Sequence, residues 1–112
     1  MIHEMKLNKE PFISIRNGTK TIELRLNDEK RKKLKIGDKI EFTNIVTNEK
    51  IMTEIIQLHK YSNFKELYQN FDKKLLGYKD DEKYDYKDMN AYYKEEEQEK
   101  YGVLGIEIKL IR

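Results

Sequence analysis

Short runs in which apolar and polar residues alternate recur along this chain, and such a period of two is typical of half-buried β-strands. The clearest run spans residues 18–26. As a strand it sends three aliphatic side chains to one face and three polar ones to the other. The aliphatic face carries Ile22, Leu24 and Leu26, and the polar face carries Thr21, Glu23 and Arg25. Lys20 stands at the entrance of the strand, just after a turn at Gly18.

Four further runs predict the remaining strands. Residues 5–7 form a short first strand, and residues 103–111 form a last strand with its apolar side chains on one face. Residues 40–46 and 51–59 are rich in β-branched and aromatic side chains and are separated by the turn-forming residues 47–50. Two strands joined by so short a turn must pair antiparallel.

Three helices are predicted between these strands. Pro11 occupies a first-turn position of the first helix, which ends at Asn17-Gly18. Asn63 begins the second helix in a capping-box pattern with Glu66. The third runs from Asp85 or Asp88 to about Lys100 and follows a polar loop at residues 79–87. Its predicted inner stripe consists of Met89, Tyr92 and Tyr93 and continues at Glu96.

The order of these elements indicates an α+β fold in a single domain spanning residues 1–112. Few strands are available, and the last must pair with strands formed much earlier in the chain. We therefore expect a small, strongly twisted and mostly antiparallel sheet, curled into a partial β-barrel and flanked by helices.

Charge and composition restrict the function. Charged residues make up 39% of the chain, but Lys+Arg 23 and Asp+Glu 21 nearly balance, so any nucleic-acid site must be local. The absence of cysteine excludes disulfides, zinc ribbons and thiol catalysis and fits a reducing cytoplasm. No apolar stretch approaches the ~20 residues of a membrane span, and no secretory leader is recognisable. Abundant Lys, Asn, Ile and Tyr suggest an AT-rich bacterial genome.

The strand at residues 18–26 carries the candidate chemistry. Lys20 and Arg25 together suit a phosphate. Glu23 between them either accepts hydrogen bonds from a base or sugar, acts as a general base, or forms only a surface ion pair. His3 and His59 are far apart and have no carboxylates at ligand spacing, so neither a metal site nor a cofactor is expected.

Four segments together resemble an ASCH domain, a member of the PUA-like fold superfamily. They are the helix end Ile15-Arg16-Asn17-Gly18, the strand Lys20-Thr21-Ile22-Glu23-Leu24-Arg25, the turn Gly37-Asp38 before Ile40-Glu41-Phe42, and the closing Tyr101-Gly102-Val103-Leu104-Gly105-Ile106. They span nearly the whole chain. The resemblance implies an RNA-binding module with a cleft between the helix end, the strand and the later loop.

Some single-domain relatives imply enzymatic alternatives. Small bacterial amidohydrolases that remove acetyl from acetylcytidine imply a lysine at Lys20, a threonine at the position that carries Glu23 here, and an acidic residue before the last helix. That acidic residue corresponds to Asp80, Asp81 or Glu82. Other relatives resemble ribonucleases of single-stranded RNA, for which Tyr84 or Tyr86 would serve by position.

The sequence therefore predicts a cleft that binds RNA or a nucleotide-like ligand. Its predicted ligand-binding residues are Arg16, Lys20, Thr21, Glu23, Arg25 and Tyr84. The alternative is a small hydrolase acting on a modified nucleoside or on single-stranded RNA, with Lys20 and Glu23 as the catalytic pair. A third possibility is a protein-interaction module that uses the acidic last helix. No membrane partner is expected, and the sequence identifies no protein partner.

Overall fold

The computed structural model describes residues 1–111, which form a five-stranded mixed sheet with strand order β1-β3-β4-β5-β2. The strands are β1 (Ile2–Leu7), β2 (Ile22–Leu26), β3 (Lys39–Asn44), β4 (Lys50–Tyr61) and β5 (Val103–Leu110). β1 runs parallel to β3, and the other neighbouring strands pair antiparallel. The sheet curls into a half-barrel flanked by helices, so the predicted fold class is confirmed.

The long strand β4 bends the sheet. Its residues 50–54 pair with β3, its residues 53–61 pair with β5, and the register with β5 shifts between Ile55 and Gln57. Such an irregularity bends a strand and increases its local twist. β4 therefore turns the sheet far enough for its two edge strands, β1 and β2, to approach each other.

Three α-helices and two short 3₁₀ helices cover the sheet. They are α1 (Lys9–Arg16), α2 (Phe64–Gln69) and α3 (Glu95–Tyr101), with 3₁₀ turns at Arg31–Lys33 and Tyr86–Ala91. Asn63 caps α2 as predicted, since its side chain accepts a hydrogen bond from the Glu66 N–H at 2.9 Å. No helix within residues 1–111 has the length and apolar character needed to cross a membrane.

Two apolar clusters lie on the two faces of the sheet. The α1-side cluster includes Phe12 and Ile15 of α1 and the side chains of Leu104, Ile106 and Ile108 of β5. The α2-side cluster gathers the aliphatic face of β2 against α2 and the segment that follows it; its members include Ile22, Leu24, Leu26, Phe64, Leu67 and Leu76. Full burial of each aliphatic or aromatic side chain contributes about 1.5–3 kcal/mol, so these clusters hold the sheet and helices together.

The prediction of one helix from residue 85 or 88 to about 100 was wrong. A 3₁₀ helix capped by Asp85 ends at Ala91, and α3 begins only at Glu95. The break changes the helical phase, so Gln98 is buried while Glu96 is exposed. Tyr92, which was expected in the core, is 64% exposed. Three consecutive glutamates in the first turn of α3 were the overlooked signal, because acidic residues favour a helix N-terminus.

Gly102 connects α3 to β5 and should tolerate no side chain. Its backbone has φ +72°, and an added Cβ would lie 3.0 Å from the Tyr61 carbonyl oxygen. Gly102→Ala should therefore lower the free energy of unfolding by ~2–3 kcal/mol in urea denaturation. Gly37→Ala is the matched control, since Gly37 has φ +93° but open space around its Cβ position. Equal losses in the two variants would contradict the steric argument.

Candidate functional site

A cavity of about 760 Å³ opens where the two edge strands of the half-barrel approach each other without pairing. The end of β1 and α1 contribute Lys6 and Ser14 to its lining, and β2 contributes Glu23 and Arg25. Glu23 and Arg25 lie opposite Ile106 and Leu104 of β5. Because cross-strand partners share a face, the polar face of β2 points into the half-barrel on the side of α1.

The floor of this cavity is an ion triad of Lys20, Glu23 and Arg25. Oε1 of Glu23 lies 3.2 Å from Lys20 Nζ, and Oε2 lies 2.7 Å from Arg25 Nη2 and 2.9 Å from Arg25 Nε. The side chains are only 8%, 5% and 14% exposed, respectively. Arg25 Nη2 also donates to the Lys6 carbonyl at 3.1 Å, which joins the two edges of the sheet.

The triad is ionised and carries one net positive charge. Burial alone would raise the pKa of Glu23, but the charges of Lys20 and Arg25 lower it below its ordinary value. Burial likewise opposes the charge on Arg25, yet the Glu23 carboxylate raises the pKa of that guanidinium. Two cations thus share one carboxylate. Elsewhere the lining holds three lysines and three carboxylates, so the uncompensated charge lies at the triad.

Backbone contacts from two segments position Lys20. Its N–H donates to the Ser14 carbonyl at the end of α1, and the next two N–H groups along the chain donate to the Leu75 carbonyl. Gly77 then lies against the lysine stem, where an added Cβ would come within 3.0 Å of Lys20 Cδ. The lysine is therefore enclosed along its stem. Glu23 is the only described residue that accepts a hydrogen bond or ion pair from its Nζ.

Aromatic and acidic side chains from residues 76–93 complete the lining. Tyr92 and Tyr93 belong to the same cavity lining as the triad. Tyr78 and Asp88 belong to the same lining, and the Tyr78 hydroxyl is 2.7 Å from Asp88 Oδ2. The cavity thus combines a cationic floor, aromatic rings and hydrogen-bond acceptors.

The structure brings together three of the six residues that the sequence singled out, namely Lys20, Glu23 and Arg25. The other three lie outside the cavity lining. The Thr21 N–H donates to the Leu75 carbonyl, and the Thr21 carbonyl accepts a hydrogen bond from the Ile108 N–H. Arg16 pairs with Glu49 at 2.9 Å on an exposed surface. Tyr84 hydrogen-bonds to the carbonyls of Tyr68 and Phe71 and stacks on the Tyr68 ring.

Sequence reasoning missed Tyr78, Asp88, Tyr92 and Tyr93 as lining residues. Asp88 was expected to be a possible cap of one continuous helix, and Tyr92 and Tyr93 were expected on its inner stripe. Tyr78 precedes the polar loop at residues 79–87, and no local pattern marked it as a lining residue. Among Asp80, Asp81 and Glu82, only Glu82 lines the cavity. No group of three or more His, Cys, Asp or Glu side chains suited to a metal ion occurs in residues 1–111.

A five-stranded mixed half-barrel with flanking helices and a cavity at its open seam is a PUA-like fold, a class usually associated with RNA binding. A protein-family model for the ASCH domain matches residues 5–112, and the chain belongs to this family.

Two solved structures are similar over almost their entire length. The crystal structure of hypothetical protein PH0355 is 33% identical, with a TM-score of 0.82, and the match covers 99% of this chain and 100% of that one. The solution NMR structure of protein PF0455 from Pyrococcus furiosus is 31% identical, with a TM-score of 0.75, covering 100% of this chain and 99% of that one. Comparison with curated proteins gave no match.

Neutralising Glu23 should destabilise the fold strongly at neutral pH. Glu23→Gln leaves two buried cations without a carboxylate, so we expect a loss of ~3–5 kcal/mol in urea unfolding at pH 7. Because the folded-state pKa of Glu23 is lowered, its contribution is fully present above its ordinary pKa of 4.5 and is lost as the pH falls through the folded value. The difference in free energy of unfolding between wild type and Glu23→Gln should therefore become smaller in acid.

A second glutamate serves as the control for that measurement. Glu41 pairs with Lys50 at 3.6 Å on the surface, with 26% and 58% of the two side chains exposed. Glu41→Gln should lower the free energy of unfolding by less than ~1 kcal/mol. A Glu23→Gln variant as stable as Glu41→Gln at pH 7 would mean that the triad does not hold the seam together.

Proposed function

We propose that this domain binds RNA, or a nucleotide-like ligand, with a phosphate placed on Lys20 and Arg25. The observation that carries the proposal is the ion triad on the cavity floor, in which two buried cations share the single carboxylate of Glu23. A buried charge without a counter-charge is costly. An anionic ligand group supplies that missing charge.

The donors of the triad suit a phosphate oxygen. Lys20 Nζ carries three protons and gives an ion pair only to Glu23 among the described residues. Arg25 presents a planar guanidinium held in place by Glu23 and by the Lys6 carbonyl. Because both cations are already positioned, they lose little side-chain entropy when a ligand binds.

The remainder of the cavity suits the base and sugar of a nucleotide. Its volume of about 760 Å³ falls within the ~300–1,000 Å³ that is usual for small-molecule sites. Tyr92, at 64% exposure, offers a ring face to a base, and base–aromatic stacking contributes about 1–3 kcal/mol. Aromatic rings beside a cationic floor favour an unpaired nucleotide over a duplex, whose bases are already stacked.

Removing the charge of Lys20 should weaken RNA binding and its dependence on salt. Lys20→Met keeps the apolar stem against Gly77 but loses one phosphate contact. We expect the affinity for a short unstructured RNA to fall ~10-fold at low salt, and the slope of log K against log salt to decrease by about 1. Fluorescence anisotropy across a salt series measures both quantities.

Lys83→Met is the matched control, because Lys83 is an exposed lysine outside the cavity lining. It changes the net charge equally and should leave both affinity and slope near wild type. RNA binding that is independent of salt, or that both variants weaken equally, would refute the proposed site. Thermal unfolding of each variant verifies that the fold is retained.

A second candidate is hydrolysis of a modified nucleoside, and one observation favours it. Lys20 and Glu82, the lysine and an acidic residue suggested by the resemblance to amidohydrolases, line the same cavity. Glu23 is a poor general base here because both of its oxygens are engaged and its pKa is lowered. Glu82 is the better base, since it is exposed and, among the described residues, only the Lys79 N–H donates to its carboxylate, at Oε1 and 2.8 Å.

Incubation with acetylcytidine, followed by chromatography, tests this candidate. Turnover by wild type that Glu82→Gln abolishes and Asp81→Asn preserves would establish the hydrolase, because Asp81 lies outside the lining. No product from wild type, together with Lys20-dependent RNA binding, would leave binding as the function.

A further inference from the structure

A chain of hydrogen bonds fixes one carboxylate in the cavity lining. The Tyr68 and Tyr78 hydroxyls are 3.0 Å apart, and the Tyr78 hydroxyl is 2.7 Å from Asp88 Oδ2. The Tyr68 ring also packs edge-on to the Tyr78 ring at a centroid distance of 5.9 Å. All three residues line the cavity, yet none belongs to the ion triad.

The donor and the acceptor in each of these hydrogen bonds follow from the bond distances and from the charge of Asp88. The Tyr78 hydroxyl has one proton and two acceptors, Asp88 Oδ2 at 2.7 Å and the Asp85 carbonyl at 3.1 Å. The shorter bond to a charged oxygen is the stronger one, so Tyr78 donates to Asp88. The Tyr78 hydroxyl oxygen therefore accepts a hydrogen bond from the Tyr68 hydroxyl. Burial raises the pKa of Tyr68 to about 12 and also raises the pKa of Tyr78, so both phenols keep their protons near neutral pH.

These hydrogen bonds leave one carboxylate oxygen of Asp88 available to a ligand. Oδ2 is bound by Tyr78, and no described residue donates to Oδ1. An ionised carboxylate accepts hydrogen bonds and donates none. Its negative charge also repels phosphate, whereas the ion triad attracts it. For a nucleotide in this cavity, these charges favour an orientation with the phosphate at Lys20 and Arg25 and the base toward Asp88.

We propose that Asp88, held in place by Tyr78, is a specificity-determining residue that accepts a hydrogen bond from the exocyclic amino group of a base. This inference rests on the proposed function and adds the class of base. Cytosine and adenine present such an amino group, whereas uracil and hypoxanthine present a carbonyl oxygen at the corresponding position. A carbonyl oxygen facing Asp88 places two acceptors together, so the site discriminates against oxo bases.

Two matched pairs of nucleotides test the inference. Cytidine and uridine 5′-monophosphates differ at the 4-position, and adenosine and inosine 5′-monophosphates differ at the 6-position. Calorimetric titration of the full chain with all four should give ~5-fold or greater preference for the amino member of each pair. Hexamers of C and of U, titrated by fluorescence anisotropy, test the same preference in RNA.

Amino-acid substitutions test whether Asp88 causes the preference for amino bases. Asp88→Asn should abolish or reverse both preferences, because Tyr78 then donates to the amide oxygen and the amide nitrogen, a hydrogen-bond donor, faces the ligand. Tyr78→Phe retains the ring but releases Asp88, and it should reduce the ratios to a smaller extent. Asp81→Asn makes the same charge change outside the cavity and should keep the wild-type ratios.

The outcomes separate this inference from the proposed function. Lys20-dependent binding of RNA with no preference between C and U, or with a preference that Asp88→Asn leaves intact, overturns the role of Asp88 and preserves the binding site. Failure of every nucleotide and RNA to bind removes both proposals.

Discussion

The Glu23 carboxylate is the group on which the open seam of the half-barrel depends. It binds Lys20 with one oxygen and Arg25 with the other, and Arg25 in turn reaches the Lys6 carbonyl across the seam. A buried ion pair is seldom more stabilising than well-packed apolar residues of the same volume. Apolar side chains would close this seam, whereas the triad keeps a cavity with a charged floor. Stability alone thus gives no reason for three ionised groups at this position.

The same triad gives the two ends of the cavity different charges. The uncompensated positive charge lies at the start of β2, and the Tyr78–Asp88 chain lies in the segment between α2 and α3. A ligand that is anionic at one end and a hydrogen-bond donor at the other therefore fits in one orientation. Tyr92 adds an exposed aromatic ring that carries no charge preference of its own. The positive charge thus comes from β2 and the turn before it, and the carboxylate and the exposed ring come from the segment between α2 and α3.

Local sequence patterns predicted much of this arrangement, but they could not predict which side chains tertiary contacts would bury or engage. Alternation along residues 18–26 predicted the two faces of β2 because side chains in a strand alternate by steric necessity. It could not show that the polar face is buried, since burial depends on β2 lying beside β5 and near β1. Arg16 and Tyr84 were chosen for their positions at the helix end and in the loop, but Glu49 and the carbonyls near α2 engage them through tertiary contacts. Tyr92 was missed because the helix breaks before Glu95 and resets the phase.

The pairing of β2 has a consequence for the order in which the protein assembles. β2 has one strand partner, β5, and Ile22 lies opposite Glu107, so the pair spans most of the chain. During synthesis β2 leaves the ribosome long before β5, and until then its Glu23 and Arg25 have no sheet to enclose them. Such distant pairings form late and slowly. The cavity is therefore among the last parts of the domain to form, and a nascent chain stalled before β5 would hold its charged residues without a pocket.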